Sequence, residues 1–116
     1  NESTAHLYDP GHPAILRMIK RTIEAARDNG ISVSLCGEMS SEPHLALVLL
    51  GLGIHELSMS PINVLQIKKL IRSVKFADAK KLTEKVLKLS TGREVEDLCK
   101  ATLERLAPNI LTTDNS

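Results

Sequence analysis

The segment from residue 31 to residue 39 reads Ile31-Ser32-Val33-Ser34-Leu35-Cys36-Gly37-Glu38-Met39. Residues 31–35 predict a buried strand, and the Gly-Glu pair after Cys36 predicts a turn into a helix. A cysteine lies at the junction. Loops that follow the carboxyl ends of strands form the active-site face of α/β folds, so we predict that Cys36 takes part in chemistry.

Helical and strand-like segments alternate around this motif. The predicted order is helix 13–29, strand 31–35, helix 42–52, strand 56–59 and helix 61–74. Asn29-Gly30 and Gly53 are expected to end the first two helices, and Ser41 and Ser60 to cap the second and third. The helix 42–52 is apolar almost all round, which predicts deep burial. This alternation with short connections is typical of parallel βαβ units and predicts an α/β fold.

The pattern from residue 76 onward is helical only. Helices are predicted over 76–89 and from a capping box at Thr91 and Glu94 to residue 106, where Pro108 closes the second. We therefore divide the chain into three parts: final βα units at 1–75, C-terminal helices packed on them at 76–108, and a disordered tail at 109–116.

Composition and charge narrow the functional classes. Apolar residues make up 42% of the chain, and Tyr8 and Phe76 are its only aromatic residues, which predicts an aliphatic core. A net charge of +1 argues against a dedicated nucleic-acid binder. Eleven of the fifteen basic residues lie within 61–106, where they fall between apolar helical positions and are expected to form solvated faces.

The chain shows no signal peptide and no apolar run long enough to insert into a membrane, so we expect a cytoplasmic protein. Its two cysteines, Cys36 and Cys99, match neither a metal motif nor a disulfide framework. Cys99 lies within an amphipathic helical pattern, which indicates a small buried hydrophobic residue.

Four segments together resemble the C-terminal barrel of the PEP-utilising enzymes. They are HLYDP (6–10), HPAILRMI (12–19), CGEM (36–39) and LGIHELSMS (52–60). The forms of 36–39 and 57–60 are similar to the enzyme I family, the phosphoenolpyruvate–protein phosphotransferases of the sugar phosphotransferase system. The resemblance implies the last βα units of a (β/α)8 TIM barrel, followed by C-terminal helices. Because two parallel strands do not close a barrel, we expect the chain to be part of a longer protein.

The resemblance also implies a chemical role for Cys36. In that family a phosphoryl group moves from phosphoenolpyruvate to an enzyme histidine and then to a histidine-containing phosphocarrier protein. The pyruvate enolate left behind needs a proton, and the resemblance implies that Cys36 supplies it. A thiol with an ordinary pKa of about 8.5 is protonated at neutral pH yet can release its proton.

Other functional parts of that family are expected outside this chain. These are the two carboxylates that bind Mg²⁺, the arginines that hold phosphoenolpyruvate and the segment with the phosphorylated histidine. None of the four histidines here is expected to accept the phosphoryl group, so the isolated chain is expected to be inactive. The resemblance further implies a homodimer, with the phosphocarrier bound by the N-terminal region of the whole enzyme.

Residues beside Cys36 have predicted roles of their own. Glu38 is expected to orient the loop, accept backbone N–H bonds or cap the following helix, and Gly37 to permit a tight turn or a close approach of substrate. Ser58 and Ser60 are expected on the face that holds Cys36, with Ser60 acting as a cap. Met59 is expected to point toward the barrel interior or its upper rim, beside Cys36.

Two alternatives remain open on the sequence. Pyruvate phosphate dikinase and phosphoenolpyruvate synthase carry the same cysteine at a similar spacing from the next strand, so this chain could belong to either of them. It could also be a non-catalytic helical interaction module, for example part of a dimerisation surface. The reading frame upstream of Asn1 would separate the three.

Overall fold

A computed structural model describes residues 9–111, with the backbone only for Cys36, Glu38 and Leu111. Its elements are α1 (Pro13–Asp28), β1 (Ser34–Cys36), α2 (Glu38–Ser41), α3 (Pro43–Leu52), β2 (Glu56–Ser58), α4 (Pro61–Ser73), α5 (Phe76–Val86), α6 (Gly92–Leu106) and α7 (Pro108–Leu111). The strands pair in parallel, joined by α2 and α3. The predicted α/β class is confirmed, with helices dominating and one small parallel sheet.

Glycines end α1 and α3, as predicted. After α1, Gly30 has a φ of +68°, and the N–H of Ile31 donates to the carbonyl of Ala26 at 2.8 Å. After α3, Gly53 has a φ of +84°, and the N–H of Ile54 donates to the carbonyl of Leu49 at 3.2 Å. Both ends have the Schellman pattern, which requires a left-handed residue that glycine adopts without steric cost.

The predicted helix starts are confirmed in part. Thr91 and Glu94 form the expected capping box of α6. Ser60 is the N-cap residue of α4, but its hydroxyl accepts a hydrogen bond from the Asn63 side-chain amide at 3.1 Å rather than from the backbone. The expectation that Ser41 caps α3 is wrong, because the chain forms the additional turn α2 and Ser41 is its last residue. Glu42 takes the N-cap position instead.

Helix α3 forms the centre of the hydrophobic core. The residues at 45–49 are all 4% exposed or less, which confirms the predicted burial. Side chains of α1, α4, α5 and α6 surround it, among them Leu16, Ile67, Val86 and Leu103. A helix buried on every side needs neighbours all round, and the C-terminal helices supply part of that cover.

Helices α3 and α5 approach each other closely at Gly51. A Cβ atom on Gly51 would overlap the hydroxyl of Thr83 and the carbonyl oxygen of Ala79. The Thr83 hydroxyl donates to the carbonyl of Val48 at 3.1 Å within the buried contact. The absence of a side chain at residue 51 therefore sets the distance between the two helices.

Three predicted boundaries differ from the structure by more than one residue. β1 begins at Ser34 rather than at Ile31, which is 60% exposed and whose N–H completes the end of α1. α5 ends at Val86 rather than at residue 89. The predicted tail does not begin at 109, because α7 forms there, with Ile110 buried and its carbonyl accepting from the Gln66 amide at 3.1 Å. Residues 112–116 of that tail, like residues 1–8, lie outside the described part.

Replacing Gly51 by alanine tests the α3–α5 contact. A glycine-to-alanine change inside a helix ordinarily stabilises by about 0.5–1 kcal/mol, so the intrinsic effect favours the variant. We expect Gly51→Ala to reduce the free energy of unfolding by about 1–3 kcal/mol, because the new methyl group forces the helices apart. Urea unfolding of both proteins measures the difference. An unchanged or increased stability would contradict the contact.

Candidate active site

The carboxyl ends of the two strands lie side by side. The register pairs Ser34 with Glu56, Leu35 with Leu57 and Cys36 with Ser58. Cys36 is therefore the last residue of β1 and is paired with the last residue of β2. Active sites of α/β folds form at this edge, so the backbone of the predicted catalytic residue lies where such a residue is expected.

The two faces of the sheet differ in their surroundings. Leu35 and Leu57 are half-buried and pack against the hydrophobic core. The exposed residues of the strands are Ser34, Glu56 and Ser58. Because successive strand residues alternate between faces, the backbone position of Cys36 belongs to this second, polar face. Ser58 shares it, as predicted.

Met59 lies on the opposite side from the one predicted. It is half-buried against the core and lines a cavity with Val64 and Ile67 of α4. The expectation that it points into a barrel interior beside Cys36 is wrong. Met59 follows Leu57 by two positions, and this spacing continues the core-facing side of the strand.

The cavity beside Met59 has a volume of about 450 Å³ and lies between β2 and α4. Its apolar lining residues are Leu50, Ile54, Leu57, Met59, Val64, Ile67 and Ile71. Among the described residues that line it, Lys68 is the single lysine or arginine. A phosphorylated substrate needs several cationic or hydrogen-bonding groups, so this apolar cavity does not fit one.

The turn after Cys36 depends on glycine for its backbone conformation. Gly37 has a φ of +99° and a ψ of −164°, a combination that is essentially restricted to glycine. Among the described residues beyond its chain neighbours, none lies within 4 Å of where a Cβ would be, so the requirement there is conformational rather than spatial. The predicted tight turn is confirmed. Glu38 follows as the first residue of α2, and its proposed orienting or capping role stays a prediction.

Ser40 received no role from the sequence and is buried directly behind this turn. It is 0% exposed, and its hydroxyl donates to the carbonyl of Leu35 at 3.0 Å. Its N–H donates to the carbonyl of Gly37 at 3.2 Å. A serine three positions after a glycine in a turn is a weak local signal, since such hydroxyls often bond nearby backbone groups.

The described histidines make local contacts. His12 accepts from the N–H of Ala14 at 3.0 Å and caps α1. His55 accepts from the N–H of Val33 at 3.1 Å and so links the starts of the two strands, away from Cys36. His6 lies outside the described residues. That none of these accepts a phosphoryl group stays a prediction.

His44 is largely buried near the start of α3. Its Nδ1 lies 3.9 Å from a carboxylate oxygen of Glu42, and its side chain is 15% exposed. Burial lowers the pKa of His44, while Glu42 and Glu96 oppose this shift and Lys100 supports it. The neutral imidazole is therefore favoured in the folded chain.

Cys99 is fully buried in α6, as predicted for a small hydrophobic residue. Burial raises the pKa of its thiol to about 12. A thiol with so high a pKa forms little thiolate at neutral pH and reacts slowly.

The described part of the chain shows neither a metal-binding cluster nor a membrane-spanning helix. No three side chains of the His, Cys, Asp or Glu type come together there in an arrangement that could hold a metal ion. None of these residues is assigned to the Mg²⁺ that the resemblance implies. No helix in this part of the chain combines the length and apolar character needed to cross a membrane.

Comparison with known proteins identifies the family. The model of the PEP-binding domain of PEP-utilising enzymes matches residues 1–76. A Haemophilus influenzae protein named phosphoenolpyruvate-protein phosphotransferase is 45% identical over 98 residues, covering 84% of this chain and 17% of the relative. Proteins of the same name from Staphylococcus carnosus and Geobacillus stearothermophilus are 41% and 40% identical, over 84% and 88% of this chain and 17% and 18% of the relatives.

The chain belongs to the PEP-utilising enzyme family, within its PEP-binding domain. The curated relatives described above, which carry the name phosphoenolpyruvate-protein phosphotransferase, are much longer. The chain spans about a sixth of their length.

The burial of His44 predicts a stability that depends on pH. Because the folded pKa is lowered, the favourable effect is complete above the ordinary pKa of about 6.5 and decreases as the pH falls below it. We expect the wild-type protein to lose more stability between pH 7.5 and 5 than His44→Gln does. Urea unfolding at several pH values measures this. Equal losses in the two proteins would contradict a buried neutral His44.

Proposed function

We propose that this chain is the C-terminal part of the phosphoenolpyruvate-binding domain of a phosphoenolpyruvate–protein phosphotransferase, in which Cys36 protonates the enolate of pyruvate. The observation that supports this most directly is the position of Cys36. It ends a parallel strand, is in register with Ser58 and belongs to the polar face of the sheet. Membership of the PEP-utilising family and the names of the relatives support the same reaction.

We further propose that β1 and β2 are the last strands of a (β/α)8 barrel. Core-facing Leu35 and Leu57 lie toward the helices, while the polar face has no helix layer over it within the described residues. That asymmetry is typical of a barrel wall, with helices outside and strand side chains inside. The two-stranded sheet also leaves each strand with one edge that no described strand covers. Further strands of a longer protein would pair there.

The proposed reaction has two steps. The phosphorus–oxygen bond of phosphoenolpyruvate breaks as a histidine elsewhere in the protein takes the phosphoryl group, and the electron pair stays on the enolate. The Cys36 thiol then gives its proton to the terminal carbon, which produces pyruvate and a thiolate. The thiolate regains a proton from water. General acid catalysis of this type requires a donor that is protonated at the working pH and within reach of the carbon.

The remaining partners follow from the resemblance. We propose phosphoenolpyruvate as substrate, Mg²⁺ bound by residues outside this chain, and a histidine-containing phosphocarrier protein as acceptor. When Mg²⁺ is bound, it neutralises negative charge on the phosphate group. A homodimer and a cytoplasmic location belong to the same proposal.

Cys36→Ala in the full-length protein tests the reaction. We expect phosphoenolpyruvate still to phosphorylate the histidine, because the thiol acts after the phosphoryl group has left. Pyruvate formation should slow by roughly 10²–10⁴-fold, the usual effect of losing a general acid. Rapid-quench measurement of phosphoprotein and of pyruvate separates the two steps.

Cys99→Ala is the matched control for this experiment. It removes the other thiol of the chain, which is buried in α6. We expect both steps to keep their rates and stability to fall only modestly. Full steady-state pyruvate production by Cys36→Ala would show that the thiol is not the proton donor.

The isolated 116-residue chain is expected to associate with itself. Unpaired strand edges and exposed apolar residues, among them Ile62 and Leu65 at 86% and 79% exposure, favour contacts between chains. It should bind neither phosphoenolpyruvate nor Mg²⁺ tightly, since the proposed ligands lie elsewhere. Sedimentation and calorimetry measure these properties. A stable monomer, or Mg²⁺-dependent binding of phosphoenolpyruvate, would contradict the expectation.

A further inference from the structure

The backbone on both sides of Cys36 is held by one residue. The preceding carbonyl, of Leu35, accepts the hydroxyl of Ser40 at 3.0 Å. The following carbonyl, of Gly37, accepts the N–H of Ser40 at 3.2 Å. Cys36 thus lies between two peptide groups that are attached to the same point of α2.

The serine side of this attachment is protected from water. Ser40 is 0% exposed, and the neighbouring Met39 is buried in the hydrophobic core, which anchors α2. The hydrogen bond itself is part-buried, and removing the hydroxyl leaves the Leu35 carbonyl without that donor. The bond therefore constrains the strand end more firmly than an exposed bond of the same length would.

The turn passes through a residue that cannot restrain it by side-chain contacts. Gly37 has the widest backbone freedom of any residue type, and among the described residues beyond its chain neighbours none lies within 4 Å of the position of a Cβ atom. A side chain therefore does not hinder rotation about the Gly37 backbone. Such rotation would change the position of Cys36 relative to a substrate above the strand ends.

We propose that Ser40 is a positioning residue that fixes the Cys36 segment in the geometry required for proton transfer. The inference rests on the proposed function of Cys36 and adds a residue that acts through it. Proton transfer to carbon depends steeply on distance, and a misplacement of about 1 Å can reduce a rate by roughly 10²-fold. Ser40 contributes by holding the backbone and is not itself a donor to the substrate.

The test is a double-mutant cycle in the full-length protein. Ser40→Ala should reduce the rate constant for pyruvate formation by roughly 10–100-fold while histidine phosphorylation and the KM for phosphoenolpyruvate stay unchanged. In the Cys36→Ala background the same substitution should have almost no further effect, because no thiol remains to be positioned. An equal effect in both backgrounds would overturn the proposal and show a merely structural role.

Two matched variants complete the design. Ser40→Thr keeps the hydroxyl and is expected to retain most of the rate, with circular dichroism confirming that it folds. Ser73→Ala removes a comparable bond, from the Ser73 hydroxyl to the carbonyl of Lys69 at 2.7 Å, on the exposed surface of α4. It should leave pyruvate formation unchanged.

The reactivity of the Cys36 thiol can be measured without catalytic turnover. Ser40→Ala should change the rate of Cys36 alkylation by iodoacetamide several-fold across pH, while buried Cys99 serves as the unreactive reference within the same chain. If Cys36→Ala does not impair pyruvate formation, the proposed function and this inference both fail. If Cys36→Ala impairs it but Ser40→Ala changes neither pyruvate formation nor alkylation, the positioning role alone is wrong.

Discussion

The packing of α3 against α5 is the contact on which the remaining architecture depends. Helix α3 is apolar on every side and links β1 to β2, so any shift of α3 moves both strands. Gly51 permits an approach that no side chain would allow, and the Thr83 hydroxyl satisfies the Val48 carbonyl inside the contact. The C-terminal helices therefore form part of the core that positions the strands.

The sheet separates core packing from candidate chemistry. Its leucines face the helices, and its polar positions belong to the opposite face, together with the backbone position of Cys36. A strand that alternates in this way can be anchored strongly on one side while presenting small polar groups on the other. The same alternation places Met59 with the core and accounts for its absence from the candidate site.

The two cysteines illustrate how environment distinguishes residues of one type. Cys99 lies in a helix interior, where burial raises its pKa to about 12 and keeps the thiol inert. Cys36 is the last residue of a strand and precedes a glycine turn. The hydroxyl of Ser40 donates a hydrogen bond to the carbonyl of Leu35 beside it. The proposed chemistry requires such a difference. A proton donor must release its proton readily, while its backbone is held in a fixed position relative to the substrate.

Local rules were enough to predict much of this chain from its sequence. Periodicity and turn residues determined the α/β alternation, the glycine ends of α1 and α3, the capping box of α6 and the burial of α3, because each depends on residues near one another in sequence. Only the tertiary structure decided the hydrogen bonds of Ser40, the exposure of Ile31 and the burial of Ile110 in α7. These depend on which faces are covered by distant segments, and a local pattern carries no information about that cover.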